Sequence, residues 1–181
     1  IPVPAAGRFP LHVVSPAQPV DAFYRLPDER DWVDYSTYTS DLIAQRILEL
    51  AKTVKDATQR RKLVAVFAGS IFELPGSMNG LLAFDRLLRS PDIDILVEPI
   101  SYIAETDRLA GGPAGAVAVV DSVVAHGKLW LQEDDLRTYL AEAARMPDLG
   151  YNGAHPTANL AETYNVLSRN LGFELTHRVG T

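Results

Sequence analysis

The chain has 181 residues with no cysteine and a formal net charge of -6; 47% of it is hydrophobic and 22% charged. That balance suits one globular domain with a sizeable core and excludes disulfides, thiolate metal sites and thiol catalysis. The basic residues are dispersed apart from Arg60-Arg61-Lys62, which argues against a nucleic-acid surface, and no apolar run reaches the roughly 18 residues that span a bilayer; a soluble protein, with the cytoplasm favoured, is expected.

Residues 1–30 hold Pro2, Pro4, Pro10, Pro16, Pro19 and Pro27 with little periodicity, and are expected to form an extended surface segment. A start at Ile1 rather than Met suggests a processed product or a fragment. From Thr39 or Ser40, which can cap a helix, Leu42, Ile43, Ile47, Leu50, Ala51 and Val54 recur at helical spacing, predicting a helix to about Thr58. Leu63-Val64-Ala65-Val66-Phe67 is a continuous apolar run, the pattern of a strand buried on both faces.

A loop with Gly69, Pro75 and Gly76 leads to a second helix carrying Leu81, Leu82, Phe84, Leu87 and Leu88 inward, stopped at Ser90-Pro91-Asp92. Ile93 to Val97 makes the next strand. After a Gly-rich stretch from Gly111 to Gly115 and the apolar segment Val117 to Val124, a third strand runs from Lys128 to Leu131. Helices are expected at about 135–145 and 158–175, the latter with Leu160, Tyr164, Leu167 and Leu171 on its inner face.

Strands alternating with helices imply βαβ units and a parallel sheet, hence the α/β class. Three strands are too few for a closed (β/α)8 barrel, and a doubly wound fold would normally carry a glycine-rich phosphate loop after its first strand. The expected architecture is therefore part of a TIM barrel, over residues 31–181 of a single domain spanning 1–181.

In parallel α/β proteins the chemistry gathers where the strands end. Those ends supply Phe67, Tyr102 and Trp130 beside Glu73, Glu98 and Glu133, and aromatic faces next to carboxylates suit sugars. Glu133, with Asp134 and Asp135, is either such a carboxylate or the acidic first turn of a helix near Leu136. Asp134 and Asp135 are expected to cap that helix or to pair with Arg137. Trp130 is a sugar platform or core. His126 either contacts a hydroxyl and orients Glu133 or is structural, and Lys128 is expected to pair with Asp121. The four histidines lack ligand spacing, and neither a metal nor another cofactor is expected.

The segments Lys62 to Phe67, Ser90 to Leu96, Pro99 with Ser101-Tyr102, and above all Asp121 to Thr138 resemble β-galactosidase-like glycoside hydrolases. These are the family-42-like members of the retaining (β/α)8 superfamily. The resemblance implies that the chain holds approximately strands five to seven with their helices, and that Glu133, ending strand seven, is the nucleophile. Phe67, Tyr102, His126 and Trp130 would then face a carbohydrate ligand. It also implies that the acid/base Glu belongs to a fourth strand upstream of Ile1, so that the chain alone is inactive. Ser70 and Leu81 depart from the family, whose members carry Tyr and His there, which leaves a non-catalytic sugar-binding remnant as one alternative. Another is an assembly subunit whose open edges pair with a second chain or with its own copy.

Overall fold

The computed structural model describes residues 26–68, 81–100, 111–112, 116–141 and 156–177. The chain order is helix α1 (Arg30–Ala57), strand β1 (Ala65–Phe67), helix α2 (Phe84–Arg89), strand β2 (Ile95–Pro99), helix α3 (Val120–Ala125), strand β3 (Leu129–Glu133) and helix α4 (Leu160–His177). The strands form a parallel sheet in the order β1-β2-β3, which makes the protein α/β. Among the described residues no helix is long and apolar enough to cross a membrane. Most of the segment 1–30 lies outside the described residues.

Register decides which side chains share a face. Val66, Leu96 and Trp130 lie side by side across the sheet, and Phe67, Val97 and Leu131 form the next row on the opposite face. The first row is the core. Leu96 and Trp130 are sealed from solvent by Ala44 and Ala51 of α1, Phe84, Leu87 and Leu88 of α2, and Val120 and Val123 of α3.

The second face is bare only in part: Val97 of the central strand is buried and Leu131 half-buried. Phe67 is 65% exposed and Leu129 56%, and Leu63, in line with them, is 69% exposed. The expectation that residues 63–67 are buried on both faces is therefore corrected. Period-2 geometry sends Val64 and Val66 toward the helices, while Leu63, Ala65 and Phe67 point to the partly bare side and are exposed.

Helix α1 begins about ten residues earlier than expected, at Arg30. Ion pairs one turn apart, Arg30 with Asp34, Arg46 with Glu49 and Lys52 with Asp56, line its exposed side, each worth only a few tenths of a kcal/mol. Its buried face is Ser36, Ser40, Ala44, Ala51 and Lys55 rather than Leu42, Leu50 and Val54, which stay exposed. Small side chains bring the helix axis close to the sheet, with Ile47 and Leu48 filling the flanks.

The end of α1 is locked to the sheet by charge. The Lys55 side chain is only 4% exposed, a burial made tolerable because Asp94, which opens the approach to β2, accepts from its Nζ, as does the Lys62 carbonyl at 2.9 Å. Burial pushes the Asp94 carboxyl up, but the Lys55 ammonium, the Val64 amide at 2.7 Å and the Lys128 charge outweigh it and hold the group below its ordinary value. Arg60, in the left-handed region at φ 59°, carries its guanidinium onto Asp92 and the Pro91 carbonyl, both at 2.8 Å.

Helix α2 ends at Ser90 as the Ser-Pro-Asp stop predicts, with the Ser90 hydroxyl accepting from the Asp92 amide. Gly127, at φ +71°, reverses the chain between α3 and β3 in a conformation that costs other residues but not glycine. The helix expected from about 135 does not form over 135–141; residues 134–138 are irregular and 139–141 turn. Helix α4 lies where expected but is rolled over. Thr163, Val166, Asn170 and Glu174 are buried, whereas Leu160, Tyr164, Leu167 and Leu171 are exposed.

Candidate functional site

Glu133 is the last residue of β3 and sits opposite Pro99 of β2. Its carbonyl accepts from the Ile100 amide at 3.1 Å, so the pairing with β2 runs to the end of the strand and fixes the Glu133 backbone. Alternation puts its exposed side chain on the partly bare face, with Leu131, Val97 and Phe67. An exposed carboxylate there is available to a ligand, and apolar neighbours suit the C–H face of a sugar ring.

Phe67 is at the C-terminal end of β1, on the same face as Glu133 and one row short of it. It is the one aromatic that the described strands present there. Two other expected contacts are corrected. Trp130 is 1% exposed on the opposite face, its Nε1 donating to Gln132 Oε1 at 3.2 Å, and is a core residue rather than a sugar platform. His126 lies at the N-terminal end of β3, where Nδ1 approaches the Ser122 carbonyl at 2.7 Å, so the whole strand separates it from Glu133 and it cannot orient that carboxylate. Tyr102 and Glu73 lie outside the described residues.

Glu98 does not pair with Glu133. One position before Pro99, it turns to the helix-covered face and is buried there. Lys128 is also placed differently from the expectation: its Nζ donates to the Ser90 and Ile93 carbonyls at 2.6 and 2.7 Å, not to Asp121. Burial pulls the Lys128 ammonium below its ordinary pKa, against the favourable charge of Asp94. A cleft of about 640 Å³ opens beside it, lined by Ser90, Asp94, His126 and Lys128. The cleft is at the N-terminal ends of the strands, the end that stabilises parallel α/β folds rather than carrying their chemistry.

Residues beyond Glu133 join a polar network that single-sequence reasoning missed. Asp134 Oδ1 accepts from Asn170 Nδ2 of α4 at 2.8 Å, instead of capping a helix. Asn170 Oδ1 in turn accepts from Arg169 Nε and Nη2 at 3.0 and 2.8 Å, and Arg169 Nη1 donates to the Gly112 carbonyl at 3.0 Å. Closer to the start of α4, the Thr157 amide donates to the Arg137 carbonyl at 3.0 Å, and the Thr157 and Thr163 hydroxyls share a hydrogen bond. The available signal was polar: Thr163, Asn170 and Glu174 recur at helical spacing as regularly as the leucines.

Among the described residues no three His, Asp or Glu side chains converge to hold a metal. No family model, curated protein or solved structure matches the chain. The geometry around Glu133 therefore has to be interpreted on its own terms.

Proposed function

We propose that the chain is part of a glycoside hydrolase: the C-terminal half of a β-galactosidase-like (β/α)8 barrel, in which Glu133 is the nucleophile. The observation that carries this reading is an exposed carboxylate ending a parallel strand, on an apolar sheet face that is partly uncovered. In a barrel that face is the interior, helices cover only the outside, and the C-terminal ends of the strands bear the chemistry. The resemblance of Asp121 to Thr138 to the family supports the same assignment.

In the complete site Glu133 would attack the anomeric carbon while a second carboxylic acid protonates the departing oxygen, and water would then release the sugar with the second group acting as base. The retaining route needs the two carboxyl groups about 5–5.5 Å apart. Glu98 cannot be that partner from the far side of the sheet; the resemblance assigns the acid/base to a preceding strand. Phe67 would flank the sugar.

The partly bare face also favours a related reading, an assembly subunit that acts only when complementary strands close over Phe67 and Leu129. One experiment addresses both. Hydrolysis of an aryl β-galactoside is measured for the chain alone and with a polypeptide supplying the preceding strands. The chain alone should be inactive and the pair active, with Glu133→Gln reducing the pair to background. Activity indifferent to Glu133→Gln overturns the nucleophile, and sugar binding without turnover in the pair identifies a non-catalytic domain.

A further inference from the structure

We propose that Arg169 and Asn170 of α4 are positioning residues for Glu133, acting through Asp134. The proposal rests on Glu133 being the nucleophile and extends that reading to helix α4.

Two restraints meet at Glu133. On one side its own carbonyl is held by the Ile100 amide of β2's continuation. On the other, the next residue's carboxylate is held by Asn170, whose side chain is almost wholly buried. The polarity of the Asn170 amide is dictated from both ends. Its oxygen faces a guanidinium, which only donates, and its nitrogen faces a carboxylate, which only accepts. The amide cannot flip without losing all three contacts.

Arg169 adds a third anchor, since its remaining Nη1 reaches the Gly112 carbonyl in the connection between β2 and α3. The relay thus couples Gly112 and the residue that follows β3 to one point on α4. A displacement of about 1 Å at a reacting group can cost roughly a hundredfold in rate. A fixed Asp134 therefore bears directly on where the Glu133 carboxylate points.

The test isolates the step that Glu133 performs. The full chain, paired with the polypeptide that supplies the preceding strands, is treated with a dinitrophenyl β-galactoside carrying fluorine in place of the hydroxyl next to the anomeric carbon. A Glu133 oxygen forms a bond to the anomeric carbon, the glycosidic C–O bond breaks, and dinitrophenolate leaves with the electron pair. No proton is required, so the acid/base takes no part in this step. Labelling is followed by intact mass, and the labelled peptide is mapped.

Wild-type chain should be labelled at Glu133, and Glu133→Gln should not. Asn170→Ala should still label to completion, with half-saturation at the same probe concentration but a limiting rate lowered roughly tenfold or more. A purely structural role would lower the labelled fraction and leave the limiting rate unchanged, which overturns the proposal, as does an unaltered rate. If Asn170→Ala does not fold, Arg169→Lys is measured in the same way, since it keeps the cation and loses the fork; failure of both to fold assigns the pair to stability alone. Absence of labelling in the wild-type pair instead rejects the glycosidase reading, and the positioning role with it.

Discussion

Glu174 is 3% exposed, one turn beyond Asn170, and its Oε1 has no hydrogen-bond partner among the described residues. Burial, reinforced by the nearby Asp134 carboxylate, raises its pKa. A carboxyl whose folded pKa is raised binds its proton more tightly in the native state. Its burial is therefore tolerated below the unfolded value near 4.5, and stability declines as pH rises through the folded value. Glu174→Gln should accordingly stabilise the protein by about 1 kcal/mol at pH 8 and by almost nothing at pH 4, as read by urea denaturation at the two values. Equal effects at both would mean that Glu174 stays ionised when folded. At this scale the sequence was partly legible. An acid ending an apolar run marked Glu133 correctly as a strand-end residue, because strands need apolar side chains and their ends do not. Trp130 carries the same pattern, yet alternation placed it on the other face. Only the register across β1, β2 and β3 could decide between the two.

Among the elements, α4 combines a correct prediction of extent with an inverted prediction of facing. Its start is well specified: Asn159 Oδ1 accepts from the Glu162 amide at 3.0 Å while the Glu162 carboxylate accepts from the Ala158 amide, a reciprocal cap of the kind that begins helices. The facing followed polar partners rather than hydrophobicity. Asp134 and the 137–139 segment offer groups that must be satisfied on burial, and Asn170 and Thr163 satisfy them. Leu160, Tyr164, Leu167, Leu171 and Leu175 consequently face outward. Val166, fully buried on the inward face, should lose about 2 kcal/mol on substitution by Ala, whereas Leu167→Ser should stay within about 0.5 kcal/mol. Denaturant midpoints of the two variants check this. A large cost at Leu167 would mean that the leucine stripe is covered in solution.

For the whole molecule, the three strands and their parallel alternation were legible, because continuous apolar runs bounded by Ser-Pro-Asp and by glycine are what such strands require. Closure of the sheet was not legible. A sequence pattern records that a face seeks cover without recording what covers it, and Leu63, Phe67 and Leu129 remain open beside a well-sealed core. Phe67→Asp should therefore leave unfolding free energy within about 0.5 kcal/mol while reducing self-association and dye binding, as measured by sedimentation velocity and fluorescence of a hydrophobic probe. Marked destabilisation would indicate that the chain already buries this side chain. The relay from Gly112 to Asp134 was equally invisible beforehand, since its partners are 57 and 36 residues apart.

The pairing of Ala65 with Ile95, and of Ile95 with Leu129, has a kinetic consequence. No strand can bond to the next until an intervening helix and connection have been made. During synthesis the edge of β1 that pairs with β2 stays open to other nascent chains until β2 follows. Loop closure over such spans precedes any reward from pairing, so helices α1 and α2 are the natural first structures and sheet formation is the slow step. The salt-linked end of α1, which already grips Asp94 at the approach to β2, shortens that search by bringing the second strand to the first.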